Sequence, residues 1–220
     1  MFQTIAAIWA KYGYVYIQGI WGTLYIAAVT VLFGTLLGTL LSFARLSRFR
    51  IAQEAIRLYV WVLRGTPALL QIYFFYFFLP KYLPFELSDR TCIVMALVVN
   101  ASAYVEEVIR AGIQAVDRGQ TEAARSLGMT ARHTMTRIIL PQAIKNILPA
   151  LGNEFIVMIK EASLASIFVI MEVTTAFKTV QSATFITIPT LMISGMIYLA
   201  MTTVLSGGMK LVERRMRRND

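Results

Sequence analysis

Several ingredients of ordinary protein chemistry are scarce in this 220-residue chain. It has one cysteine, Cys92, and one histidine, His133. A lone cysteine excludes an internal disulfide framework and any multi-cysteine metal site. A lone histidine excludes a histidine-cluster metal site. Charge is also sparse, at 15% of residues, against about 25% in a soluble globular domain. Acids are the scarcer sign, 12 against 21 basic residues, a net charge of +9. No G-x-x-x-x-G-K-[ST] occurs, nor any Gly-Lys dipeptide, so the backbone cradle that holds nucleotide phosphates is missing. There is no Gly-x-Ser-x-Gly and no metal-ligand spacing, so nothing supports an intramembrane enzyme.

What is abundant is apolar surface, 57% of the chain. Tyr12–Ala44 runs 33 residues without a charge and Thr179–Met209 runs 31. Each exceeds the roughly 20 residues that cross a bilayer as a helix. Three weaker candidates lie between them. Leu58–Leu79 carries Arg64, Thr91–Gly112 is uncharged to Val105, and Ile147–Met171 holds Glu154, Lys160 and Glu161. The runs are continuous, without the period-two alternation of a membrane barrel. The expected fold is therefore an all-α integral membrane domain over residues 1–220 with five transmembrane helices. The start of the chain has no basic stretch before its apolar run, so a cleaved secretory signal is not expected.

Basic residues set the direction. Sixteen lie in the segments 45–64 and 110–145 and in the tail, which includes Arg48, Arg217 and Arg218. Four lie on the other side, Lys11, Lys81, Arg90 and Lys178, and Lys160 sits inside a span. This count puts the N-terminus outside and the C-terminus in the cytoplasm. The basic excess thus reads first as topology, second as attraction to anionic lipid, and not as nucleic-acid binding.

The connection 115–146 is polar enough to leave the membrane. Thr121 is placed to cap a short helix Glu122–Leu127, with Gly128 as a left-handed stop. Thr130 is placed to cap a second helix, Ala131–Leu140, limited by Pro141. Within this loop stand Glu122-Ala123-Ala124, three residues, Gly128, nine residues, Ile138, one residue, and Leu140-Pro141. The pattern resembles the EAA loop (EAA-x3-G-x9-I-x-L-P) of membrane-spanning subunits of ABC importers. Arg64-Gly65-Thr66-Pro67 with Gln71, Asn100-Ala101-Ser102-Ala103-Tyr104, Glu107 through Gln114, Leu140 through Ala143 and Gly152 through Glu161 resemble the polar amino-acid branch, of the histidine, glutamine and arginine type.

The resemblance implies a type I ABC importer permease in a bacterial cytoplasmic membrane. Two permease subunits form the pore, a homodimer being the first expectation and a heterodimer the second. Two cytoplasmic ATPase subunits drive it, and an extracytoplasmic binding protein delivers substrate. ATP and Mg belong to the partner, and no cofactor is expected on this chain. Coupling falls to Glu122, Ala123, Ala124, Arg125, Ser126 and Leu127, with Gly128 making the turn.

Ionisable residues at membrane depth mark functional candidates. Asn100, Tyr104 and Glu107 share a helix face, as do Glu154 and Glu161, while Asn153 and Lys160 share the next. Gly65 and Pro67 flank Thr66, and proline breaks a helix there. A free amino acid needs donors for its carboxylate and acceptors for its ammonium. The amides after Arg64, Thr66, Lys160 and Ser163 are candidate donors, and Glu154, Glu161 and the Asn100 carbonyl are candidate acceptors. The surplus of acids points to a cationic or neutral polar substrate. The same spacings also suit structural roles: Glu106 with Arg110 as a pair, Arg64 reaching to the interface, Tyr73–Phe78 facing lipid, and Gly34-xxx-Gly38 as a helix contact. A channel or secondary transporter using Glu154, Lys160 and Glu161 as a relay is the alternative from another class, and it leaves the EAA pattern unexplained.

Overall fold

The computed structural model describes residues 1–47, 49–84 and 86–217, with residues 216 and 217 described by their backbone alone. Arg48 and Arg218 and the side chain of Arg217, counted above among the cytoplasmic charges, lie outside the described residues. The described residues form ten α-helices and no strand: α1 (Phe2–Arg45), α2 (Arg50–Gly65), α3 (Ala68–Phe77), α4 (Leu79–Tyr82), α5 (Asp89–Gln114), α6 (Arg118–Ser126), α7 (Ala131–Thr134), α8 (Leu140–Glu161), α9 (Val173–Thr184) and α10 (Thr187–Arg217). A π-helical turn (Met135–Ile139) joins α7 to α8, and a 3-10 segment (Ala162–Phe168) follows α8.

Helix α1 has 44 residues and no proline, so nothing interrupts it. At 1.5 Å per residue it is longer than the roughly 30 Å hydrocarbon core. Its buried stripe is Thr23, Ala27, Thr30, Gly34, Gly38 and Ser42, small residues three or four apart. Such a stripe lets two backbones approach closely. A Cβ built on Gly34 comes 2.9 Å from the Ala101 Cβ, and one on Gly38 comes 2.7 Å from Ser102 O, both on α5. The Gly34-xxx-Gly38 pair is therefore a helix contact. Around this seam Ile26, Ile72, Ile93, Leu97 and Ala165 form one core, and Ala27, Ala101, Met158 and Ile159 form another. The opposite faces expose Leu36, Leu40 and Phe43 on α1 and Leu191, Met196, Leu199 and Val204 on α10. Exposed apolar stripes of this length suit a lipid surround.

Three helices, α1, α5 and α10, are long and apolar enough to cross a membrane, and α2 with α3 and α4 meets the same measure across a 106° bend. Helix α8 carries Lys145, Glu154, Lys160 and Glu161 and is not among them. The second apolar run is thus a broken element. Thr66 is extended (φ −120°, ψ 146°), as expected of a residue before proline, and Pro67 opens α3. The other expected ends also move. The fourth run leaves α-helix at Glu161, and the fifth is divided by Phe185, whose left-handed φ of 56° separates α9 from α10.

In the loop, α6 starts four residues before its expected start at Glu122. Its cap is Asp117, whose Oδ1 accepts from the Gly119 amide at 2.7 Å, and Thr121 lies inside the helix. Thr130 does cap the second helix, accepting from the His133 amide. Pro141 does not end it. The π turn widens the helix ahead of the proline, where Leu140 N–H bonds to Met135 O, and the chain continues as α8. This removes the usual clash of the ring with the carbonyl four residues back.

Candidate functional site

Three groups of side chains stand out, and the loop is the most sharply built. Gly128 has φ +80°. Its amide bonds to Arg125 O at 3.1 Å, and the Met129 amide bonds to Ala124 O at 3.1 Å. These two bonds are the paired closure of a Schellman C-cap, which requires a left-handed residue at this position. Arg125 Nη1 also donates to Met129 O at 2.6 Å. Of α6 only Ala124 is buried, at 5% exposure, while Glu122, Ala123, Arg125 and Ser126 face outward and Leu127 is 83% exposed. The result is a short rigid helix held on one alanine, presenting an apolar tip.

The second group sits where α2 breaks from α3. The Gln71 side chain is buried there. Its Nε2 donates to Leu63 O and to Thr66 Oγ1, both at 2.8 Å, and thereby bridges the gap that Pro67 opens. Thr66 Oγ1 in turn donates to Val62 O at 2.8 Å. Gln71 Oε1 accepts from Asn100 Nδ2 on α5 at 2.9 Å, and Asn100 Oδ1 is buried without a hydrogen-bond partner. Gly65 is open to solvent on its Cβ side. The amides of Leu70 and Gln71 are already bonded to Pro67 O, so they are not free to donate to an anion.

Asn100, Tyr104 and Glu107 share a face of α5 but meet different partners. Glu107 pairs with Arg110 and, at 3.4 Å, with Arg64, whose guanidinium lies 5.6 Å from the centre of the Tyr104 ring. Arg64 thus ties α2 to α5 instead of only reaching to an interface. The expected Glu106–Arg110 pair is not formed. Glu106 is fully buried and accepts twice from Arg45 Nη1, at 2.9 and 2.8 Å, across 61 positions of sequence.

The third group lies at the end of α8. Glu154, Glu161 and Ser163 are half-buried, and Lys160 and Asn153 are exposed. Glu161 Oε2 is buried without a hydrogen-bond partner, and Ser163 Oγ donates to Lys160 O at 2.6 Å. No ion pair joins Glu154, Lys160 and Glu161 among the described residues.

Sequence reasoning missed Glu172. This buried carboxylate caps α9, accepting from the amides of Thr174 at 2.8 Å and Thr175 at 2.5 Å, and from Tyr198 OH on α10 at 2.6 Å. Its signal was a lone acid closing an apolar run just before Val173-Thr174-Thr175. Cys92 is buried and His133 exposed. The aromatic run divides: Phe74, Phe77 and Phe78 face outward, while Tyr73 and Tyr76 pack on Phe168. No cluster of three or more metal-binding side chains occurs among the described residues.

Known proteins are similar to this chain over most of its length. An arginine transport system permease protein, ArtQ of Bacillus subtilis, is 39% identical over 204 residues, covering 93% of each chain. A nopaline transport system permease protein, NocM of Agrobacterium fabrum, is 38% identical and covers 87% of this chain and 83% of its own length. A chain in the crystal structure of an amino acid ABC transporter with histidines superposes with a TM-score of 0.90 at 43% identity, covering 94% of this chain and 96% of that one. A chain of the inward-facing MetNI methionine ABC transporter, at 15% identity and a TM-score of 0.70, shares the fold. Residues 30–218, from the middle of α1 to the end of α10, match the family described as binding-protein-dependent transport system inner membrane component, and the chain belongs to that family.

Proposed function

We propose that this chain is the membrane-spanning subunit of an ATP-driven importer of polar amino acids in a bacterial inner membrane. The observation that carries the reading is the α6 knob, a Schellman-locked helix with an exposed Leu127 tip inside the matched region. A stiff lever of this kind transmits displacement, whereas a flexible loop absorbs it. Glu122 to Leu127 dock on a separate ATPase, which binds ATP and Mg, and Gly128 fixes the angle. The chain spans the membrane five times, α2 with α3–α4 making one broken span and α8 another. Its N-terminus is outside and its C-terminus cytoplasmic, in line with the sided distribution of Lys and Arg.

Exposed Lys160 and Asn153 on α8 are costly against lipid, so that face belongs to a second permease subunit or to water. A homodimer is the simplest arrangement. Two ATPase subunits and an extracytoplasmic binding protein complete the assembly. ATP closes the ATPase pair, the α6 knobs move with it, and the pore opens outward. Hydrolysis returns it inward.

The substrate class is drawn from the relatives, named for arginine and nopaline transport, and from the acceptors. Asn100 Oδ1 and Glu161 Oε2 lack partners, and Glu154 lies seven residues from Glu161 on one face. Acceptors without partners at membrane depth suit an ammonium or guanidinium group. Lys160, Thr66 and Ser163 supply donors, Gln71 holds Asn100, and Gly65, Pro67, Tyr104 and Glu107 line the route. Uptake by proteoliposomes with the ATPase and the binding protein tests this. Glu154→Gln and Glu161→Gln each lower uptake about tenfold, the worth of a hydrogen bond to a charged group, with the ATPase still bound. Full uptake by both variants overturns the acceptor assignment.

A further inference from the structure

Helix α2 has three faces. Ile56 and Val60 are buried against the bundle. Ile51, Leu58 and Val62, at i, i+7 and i+11, form an exposed apolar stripe, at 88, 59 and 42% exposure. Arg50, Arg57 and Arg64 repeat every seven residues on the remaining face. A basic face beside an apolar one suits an oblique entry into the broken span along the membrane surface, with the apolar side among acyl chains. The 106° bend at Thr66–Pro67 turns α2 away from the direction of α3.

Between this basic face and the C-terminal ends of α1 and α5 lie two adjoining cavities. One, of 430 Å³, is lined by Arg45, Arg57, Arg110 and Glu106 among others. The other, of 360 Å³, is lined by Arg45, Arg57, Arg64 and Glu107 among others, with the exposed Trp61 at its rim. The two linings, which share Arg45 and Arg57, together bring four guanidinium groups against two carboxylates. Glu106 takes both its described bonds from one nitrogen of Arg45, and Glu107 is held by Arg110 and Arg64. Arg57 donates to Glu54 on its own helix, an exposed pair with both side chains 63% accessible and therefore weak. The cleft keeps a net positive charge.

We propose that this cleft holds the phosphate of an anionic phospholipid, with the acyl chains along Ile51, Leu58 and Val62. Guanidinium groups match phosphate oxygens in geometry as well as charge. The apolar stripe and Trp61 beside the cleft point to a lipid headgroup over a free phosphate ion. The site rests on the orientation proposed above, in which these helix ends face the cytoplasmic leaflet, where anionic lipid attracts basic segments.

The test uses the full chain with its bound subunits in nanodiscs of equal phosphatidylglycerol and phosphatidylcholine, reading retained lipid by native mass spectrometry. Phosphatidylglycerol is enriched in the wild type. Arg57→Gln lowers that enrichment about fivefold, the worth of one basic side chain at such a surface. Arg57→Lys, which keeps the charge but loses the planar fork, falls between the two, and Arg132→Gln, on exposed α7 outside the cleft, leaves the enrichment unchanged. Equal retention of both lipids overturns the proposal, as does an equal fall with Arg132→Gln. Displacement of the lipid by millimolar inorganic phosphate reassigns the cleft to a free anion and overturns the lipid assignment. Uptake on the same samples is a separate readout: enrichment without uptake refutes the transport reading and leaves the lipid site standing.

Discussion

Removing Arg45 from Glu106 perturbs one of the two fully buried carboxylates described in the chain. The Glu106 side chain is 1% exposed and that of Arg45 21%, so water reaches the pair only from the arginine side. Arg45→Gln leaves a carboxylate inside the bundle with its two closest bonds lost. Breaking a buried pair from one side costs about 3–5 kcal/mol. Arg110, on the next turn of α5 and lining the same cavity, offsets part of this, so the lower end of that range, about 3 kcal/mol, is expected. Glu106→Gln costs less, about 1–2 kcal/mol, because the partly exposed arginine keeps its water. The double variant Arg45→Gln with Glu106→Gln recovers much of the loss, since two neutral amides satisfy each other. A double-mutant cycle isolates the coupling, expected at about 1.5 kcal/mol or more. The assay is denaturant-induced unfolding in detergent for the four proteins, run in parallel. Two single variants as stable as the wild type, or a coupling below about 0.5 kcal/mol, refute the reasoning and make the pair a solvated contact.

Other perturbations follow from particular contacts. A Cβ on Gly22 of α1 runs into Met171 O, so Gly22→Ala forces α1 from the start of α9 and costs about 1–3 kcal/mol, read as a lower unfolding temperature in detergent. Glu172→Ala removes the acceptor for two α9 amides and for Tyr198, a loss of about 2–3 kcal/mol with faster amide exchange at Thr174 and Thr175. Gly128→Val puts a β-branched residue at φ +80° and costs about 1–3 kcal/mol of loop order, seen as proteolysis near residue 128, while Gly128→Asn, tolerated in that conformation, remains resistant.

Much of the molecule was legible because a bilayer imposes simple rules. Long charge-free runs located α1 and α10, and a shorter one ending at Val105 located α5, since ionised groups are costly in a span. Gly128 was legible as a left-handed stop because few residues accept that conformation. The boundaries that moved each involve a competition that a linear reading does not resolve. Asp117 and Thr121 are both good caps, and the earlier one wins because Arg118–Gln120 already continue the helix. Pro141 reads as a stop, yet the π turn before it absorbs the proline. Pro67 reads as a break, but the 106° angle depends on Gln71 spanning the gap to Leu63 and Thr66.

The polar partners were least legible. Glu106 lies four residues before Arg110, a good helical spacing, but α1 delivers Arg45 to it and Arg110 turns to Glu107 instead. Glu172 and Tyr198 meet only because α9 folds back against α10. Asn100 and Gln71 were each singled out from the sequence, but their bond across 29 positions was not foreseen. Local spacing predicts neighbours on one helix, and these contacts come from packing between helices.

The most direct test of the central claim is mass spectrometry of what copurifies with the tagged chain from its own membranes in mild detergent. The α6 knob predicts an ATPase bearing a phosphate-binding loop in stoichiometric amount, lost in Gly128→Val and Leu127→Asp while the chain stays folded. A chain that purifies intact with no ATPase contradicts the account and favours a transporter that needs none.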